Sequence, residues 1–338
     1  MLLGHSTWSF ENKPVIKSSS TVGGPFEAKG KIADDFDVLH EDLWLGQDSY
    51  EKAEKVLFEE ALLRTTEKVN MTKDDIQFLL AGNLINQLTP VNFAARTIGV
   101  PFLGLFGACS TSMEGLALAA MIVNSHYGNN VLTGAVSHNA AAERQFRYPT
   151  EYGSQKPPTA QWTVTGAGVA LLTSEGDGPY VTSATIGRVV DMGLTDPFNM
   201  GGAMAPAAVD TIEAHLRDTQ KDINDYDLIV TGDLGKVGRE ASLELFIKHG
   251  ITIDESKYQD CGLMIYEEDQ EVFAGGSGTA CSAVVVYGHL LNRMKKGELK
   301  SILSVATGAL LSPLSYQQKE SIPCIAHAVS IEYGGERS

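Results

Sequence analysis

"GACSTSMEGLALAA", residues 107–120, decides how the rest of the chain is read. A single cysteine, Cys109, stands among small residues at the start of an apolar run that predicts a buried helix from about Met113 to His126. Helix N-termini carry unpaired N–H groups and a partial positive charge, so a thiol there is placed as a nucleophile would be, with its ionisation favoured. Strand-like Phe102–Phe106 precedes the turn, and "YGNN" and the strand Val131–Ser137 follow the helix. The second half repeats this order: strand-like Glu271–Ala274, the turn "GGSGTACS", a helix from about Ala283 to Lys295, the turn "KKGELK" and the strand Ser301–Ser312. Both closing strands carry Thr-Gly-Ala, at Thr133–Ala135 and Thr307–Ala309. A duplicated half is the economical explanation, with residues 1–175 and 176–338 meeting at the glycine-rich turn Ser174–Pro179. Upstream, Ser49–Lys68 reads as a charged amphipathic helix, Ile76–Ala81 as a strand and Val91–Ile98 as a short helix, so the chain is α/β.

The 338 residues, 43% hydrophobic with 34 glycines, suffice for one large domain or two moderate ones. Lysine plus arginine number 26 against 42 aspartate plus glutamate, a net charge of −16 that argues against nucleic acid and against direct attachment to anionic lipid. The longest apolar run, inside Gly115–Val123, falls short of a membrane span, and the N-terminus lacks the pattern of an export signal. Any membrane association is therefore expected to be peripheral and to run through protein partners. Cys109, Cys261, Cys281 and Cys324 are widely spaced, which points to reduced thiols rather than a disulfide or zinc framework. No histidine pair has metal-ligand spacing, so no metal or cofactor is expected. The acidic run "ADDFDVLHED", Ala33–Asp42, lacks calcium-loop spacing and reads as a solvated face.

Ser137, His138 and Asn139 leave the C-terminal end of a strand, where open α/β sheets keep their ligand sites. His138 can donate to a carboxylate in either protonation state. Behind it, residues 140–161 bring Arg144, Arg147, Tyr148, Tyr152 and Lys156 together. Cations interleaved with aromatics suit a small aromatic anion, although a solvated loop paired with nearby acids is an equal reading.

The order of elements, the repeat and "GACSTSMEGLALAA" followed by "VLTGAVSHN" resemble the thiolase-like superfamily. "TVTGAGVALLTSEG" (163–176) and "AMAPAAVDTIEAHL" (203–216) extend the likeness. The resemblance implies duplicated α/β halves in a five-layer α-β-α-β-α arrangement with pseudo-twofold symmetry, a cysteine nucleophile, and a homodimer, here expected to form through Val131–Ser137. It also implies an imidazole after a strand of the second half and an Asn or His opening the later glycine turn. The matching stretches, "DLIVTGDLGKVGRE" and "GGSGTACS", offer Gly232 with Asp233, and Ser277. Both expected partners of the nucleophile are missing.

Within the superfamily, "GHSTWSFENKP" and "SHNAAAERQFRYPTEYGSQKPPTAQWTVTGAGVALL" are similar to a family of stage V sporulation proteins of spore-forming bacteria. That resemblance implies non-catalytic binding of dipicolinic acid, with or without calcium, in support of its uptake into the forespore. It also implies a peripheral place at the forespore inner membrane, beside stage V sporulation membrane proteins. The expected ligand-binding set is Cys109, Ser137, His138, Asn139, Lys156, Gly276 and Ser277, with the ligand's carboxylates toward the turns at Cys109–Thr111 and Gly276–Thr279. The competing expectations are an acyl-thioester transferase with His138 as base to Cys109, and an adaptor that only organises membrane partners.

Overall fold

A computed structural model describes residues 1–146 and 155–334. In the first half, five strands, β1 (Val15–Gly23), β2 (Phe78–Gly82), β3 (Phe102–Gly104), β4 (Asn130–Ser137) and β5 (Gly166–Thr173), form the order β1-β5-β4-β2-β3. β5 is antiparallel to β1 and β4, while β4, β2 and β3 run parallel. Helices α1 (Tyr50–Glu67), α2 (Thr89–Ile98), α3 (Thr111–Asn124) and α4 (Asn139–Phe146) accompany them.

The second half repeats the pattern strand for strand. β6 (Tyr180–Ile186), β7 (Leu228–Thr231), β8 (Tyr258–Asp260), β9 (Ser301–Ala309) and β10 (Cys324–Glu332) take the order β6-β10-β9-β7-β8, with the same senses. Helices α5 (Met200–Thr219), α6 (Gly235–Lys248), α7 (Thr279–Val284) and α8 (Leu291–Lys295) accompany them, beside the short helices Cys261–Met264 and Pro313–Gln317; a π turn, Val285–Leu290, joins α7 and α8. The two five-strand sets meet where Tyr180 pairs with Val15.

The layers follow from side-chain periodicity. α1 buries Leu57, Phe58, Ala61 and Leu62 against β1 and β5, one face of a 3.6-residue period, and is capped by Ser49, whose side chain accepts the Lys52 N–H. α3 and α7 lie between the two sheets, α3 against β4 and β9, α7 against β4 and β5. α3 is apolar nearly all round because both faces are covered. Gly115 permits this closeness, since a Cβ there would lie 2.3 Å from Thr133 Oγ1. α5 covers β9 and β10, and α6 packs on α5. The result is the five-layer α-β-α-β-α arrangement.

Several sequence expectations change. α3 begins at Thr111 and α7 at Thr279, each earlier than hydrophobic periodicity suggests, because the small residues of the preceding turns are already helical. Glu271–Ala274 is not a strand: Phe273 at φ 58° and Gly275 at φ 128° break the extended backbone, and the short strand here is Gly276–Ser277, paired with Trp162–Thr163. The Thr-Gly-Ala repeats are not equivalent either. Ala81 pairs with Gly104 as Thr231 pairs with Asp260, so Gly82 beside Ala135 matches Gly232, which follows the Thr231–Val305 pair and lies beside Ala306.

β4 is flanked by β2 and β5, so its backbone groups are already paired and it cannot add a partner's strand; the edge strand of this half is β3. The acidic run is partly structural. Asp35 Oδ2 lies 2.6 Å from His289 Nδ1, while Asp37 accepts the Thr21 N–H at 2.8 Å and pairs with Lys68 at 2.6 Å. No helix among the described residues is long and apolar enough to cross a membrane.

Candidate ligand-binding site

Cys109 occupies a single 3-10 turn, Ala108–Ser110, leading into α3. Ser110 Oγ donates to Gly107 O and Thr111 Oγ1 to Ala108 O, both at 2.7 Å, and these bonds hold Ala108 at φ 49°, a left-handed conformation unusual for a residue with a Cβ. Gly308 lets β9 approach: a Cβ there would lie 2.2 Å from Gly107 O.

Beneath the thiol lies Asp233, only 1% exposed, one residue beyond Gly232 at the end of β7. Its Oδ2 accepts Ser277 Oγ–H at 2.8 Å and the Gly278 N–H at 3.2 Å, and its Oδ1 accepts Thr307 Oγ1–H at 2.8 Å. Burial raises its pKa against the pull of these donors and of the Cys109 thiol. Asp260, at the end of β8, supports this turn. Its carboxylate accepts Thr231 Oγ1–H at 2.7 Å and the N–H groups of Leu234, Gly235 and Gly262 at 2.8, 2.9 and 3.0 Å. Burial nevertheless carries its pKa up to about 7.

The consequence for Cys109 is the reverse of what its helix position suggests. Burial first, then the charge of Asp233, push the thiol well above its ordinary value, and the Gly278 N–H and Ser277 hydroxyl oppose this only in part. A thiolate against a carboxylate would place two anions in contact in a dry environment, so the proton stays on sulfur.

Above this floor opens a cavity of about 680 Å³. Cys109, Gln161, Thr163 and Ser277 line it on the polar side, and Phe106, Phe198, Met200 and Leu311 on the apolar side. Among its described lining residues none is charged and none is a histidine. Gln161, which sequence reading passed over, ties the floor together by donating Nε2–H to the carbonyls of Asp233 at 2.7 Å and Gly276 at 3.3 Å. Asp260 carries no mark in the sequence beyond closing a strand, and Thr307 is read there only as part of the Thr-Gly-Ala repeat, with no site role.

The expected site residues separate into four places. Cys109 and Ser277 line the cavity, with Gly276 in the strand beside it. Ser137 lies behind that strand, donating to Val164 O at 2.7 Å and accepting the Ala280 N–H. His138 is on the outer side of the first sheet: Nε2 lies 2.8 Å from Leu43 O and the ring packs on Tyr50 with centroids 5.2 Å apart, so the imidazole is not brought to Cys109. Burial lowers its pKa, which keeps it neutral. Asn139 and Lys156 line a second cavity, where Lys156 Nζ meets Glu143 Oε1 at 2.8 Å. Arg144 lies 3.7 Å from Glu51, and Arg147, Tyr148 and Tyr152 fall outside the described residues. Among the described residues no group of three His, Cys, Asp or Glu side chains is placed to hold a metal ion.

This geometry has relatives. The fold is similar to 3-oxoacyl-[acyl-carrier-protein] synthase III of Aquifex aeolicus VF5, at a TM-score of 0.58 and 14% identity over 95% of this chain and 100% of that one. Human mitochondrial 3-ketoacyl-CoA thiolase matches at a TM-score of 0.58 and 12% identity, covering 97% and 99% of the two chains. These likenesses speak to fold alone. The stage V sporulation protein AD of Bacillus subtilis (strain 168) is 49% identical over 337 residues, spanning 100% of this chain and 99% of that protein. The family described as Stage V sporulation protein AD matches residues 4–332, so this thiolase-like chain belongs to the stage V sporulation protein AD family.

Proposed function

We propose that the chain binds dipicolinic acid in the cavity above Cys109 without acyl transfer. In this reading it supports movement of that ligand into the forespore, held at the inner membrane by stage V sporulation partners. The observation that carries the non-catalytic reading is Asp233. An acid stands against Cys109 where the superfamily pattern expects an imidazole, so the thiol has no neighbouring cation to favour a thiolate and is held in its neutral state. The cavity nonetheless persists at about 680 Å³, lined by apolar walls and neutral hydrogen-bonding groups, as small-molecule sites are. Dipicolinic acid is the ligand that the sequence resemblance to stage V sporulation proteins implies.

Isothermal titration with dipicolinic acid, calcium-free and calcium-loaded, tests the ligand. Saturable binding is expected, and Cys109→Leu, which fills the floor, should abolish it with circular dichroism unchanged. A flat titration of the wild type would exclude the ligand. Incubation with acyl-CoAs followed by mass spectrometry tests the other half: a thioester on Cys109 would restore the transferase reading. We further propose that two copies pair along β3, the exposed edge, where Leu103 and Phe106 are 49% and 54% exposed. Sedimentation equilibrium of Leu103→Arg should then read a monomer, and a dimer that persists would move the interface elsewhere.

A further inference from the structure

The second cavity, about 800 Å³, lies on the other side of the short strand Trp162–Thr163 from the first: Thr163 faces the floor above Cys109, and Trp162 faces this one. Three aromatic rings build its walls. Phe26 packs on Trp162 with centroids 4.9 Å apart, and Phe273, 43% exposed, stands at the rim. Its inner cation is already satisfied, because Lys156, whose side chain is 5% exposed, pairs with Glu143 and lies 5.2 Å from the centroid of Trp162 and 5.9 Å from that of Phe273.

The remaining charge is unbalanced. Glu267, Asp269 and Glu271 line the cavity from one loop, all exposed, and none of the three takes part in an ion pair among the described residues. Lys29 is the further cation of the lining. Counting Lys29 and Lys156 against Glu143 and the three loop acids leaves an acidic, aromatic-walled cavity. Aromatic faces and carboxylates together recognise organic cations, arginine above all, by stacking and by charge-assisted hydrogen bonds. We infer that this cavity is a docking site for a basic, arginine- or lysine-bearing segment of a protein partner. Such a segment would neutralise the loop acids and lay a cationic side chain on Phe273. A neutral apolar peptide would leave the acids unmatched, and an aromatic anion would face three carboxylates already without cations.

The test uses the full chain and a dye-labelled octapeptide, four Lys-Arg repeats, read by fluorescence anisotropy at about 150 mM salt, where diffuse attraction to an acidic protein is screened beyond about 8 Å. Glu267→Gln, Asp269→Asn and Glu271→Gln combined should weaken binding at least about tenfold, and Phe273→Ala severalfold. A control with the same charge change at exposed acids outside the lining, Glu41→Gln, Asp74→Asn and Glu244→Gln, should shift Kd less than about twofold. Equal losses in the two triple variants would reduce the effect to net charge and overturn the site. So would the absence of saturable binding to the wild type. Dipicolinate displacing the peptide, with tighter dipicolinate binding in the loop triple variant, would assign the cavity to a small anion instead and overturn the proposal. All six substituted acids are exposed, so unchanged thermal unfolding is expected and checks that each variant is folded.

Discussion

Asp233 and Asn83 occupy the same place in the two halves, each the residue after the glycine that follows the second strand of its sheet, as the matching pairs Ala81–Gly104 and Thr231–Asp260 require. Both are buried, at 1% and 0% exposure. Asp233 is held by Ser277, Gly278 and Thr307 and forms the floor under Cys109. Asn83 lies beside the buried Glu54 of α1 and interacts weakly with its carboxyl, without the set of short hydrogen bonds that holds Asp233. The duplication therefore supplies two equivalent positions, and only the surroundings make one of them a site.

The largest effect should come from breaking this pair symmetrically. Asp233→Leu would leave the buried Thr307 hydroxyl and Gly278 N–H without their acceptor, at about 1–3 kcal/mol each, and unpair Ser277 at the cavity floor, so a loss of about 4 kcal/mol is expected in urea unfolding. Asn83→Leu removes only its weak contact with Glu54 and should stay within about 1 kcal/mol of wild type. Comparable losses would mean that the two positions do the same work.

A pH series sharpens the same contrast. Asp260, under the Asp233 turn, and Glu27, in the first half beside Tyr266, both have carboxyl pKa values raised to about 7 by burial. Unfolded, each titrates near its ordinary value, so both states are protonated below about pH 4. Between there and pH 7 only the folded state keeps its protons, and stability falls as pH rises, by up to about 1.4 kcal/mol per pH unit for each group. Glu27→Gln should flatten the slope between pH 5 and 7 by about one proton; an unchanged slope would show that Glu27 does not hold its proton.

A smaller effect is kinetic. Cys109 should react with iodoacetamide at pH 7.5 at least about tenfold more slowly than free cysteine, and Asp233→Asn should speed it by removing the adjacent charge. Mass-resolved alkylation reads both, and a wild-type thiol faster than free cysteine would contradict the floor described above. The smallest effect is expected for His138→Ala, which should leave the dipicolinate Kd within about twofold, because the imidazole packs on Tyr50 outside the cavity. A tenfold loss would return His138 to the site.

Residue types and local order made much of this legible. The α/β class, the repeated turn–helix–strand unit, the cysteine turn and the absence of an imidazole from the Gly232–Asp233 turn can all be read along the chain. The limits are physical too. A helix N-terminus argues for an ionised thiol, but that field is weaker than burial plus one carboxylate in contact, and the contact joins residues of opposite halves. The Thr-Gly-Ala repeat misled because identical triplets say nothing of strand register.

His138 marks the boundary most clearly. Leu132 and Val136 face the outer layer of the first half while Val131 and Ala135 face the inner one, and His138 continues the outer phase. The alternation is written in the sequence, as any period of two is. Which phase looks toward the cavity is not, because that depends on the layer packed against each face. The sequence by itself determined which residues could form a site and which chemistry was missing; the packing of two sheets around α3 and α7 decided which of them meet, since side-chain direction is local and proximity across halves is not.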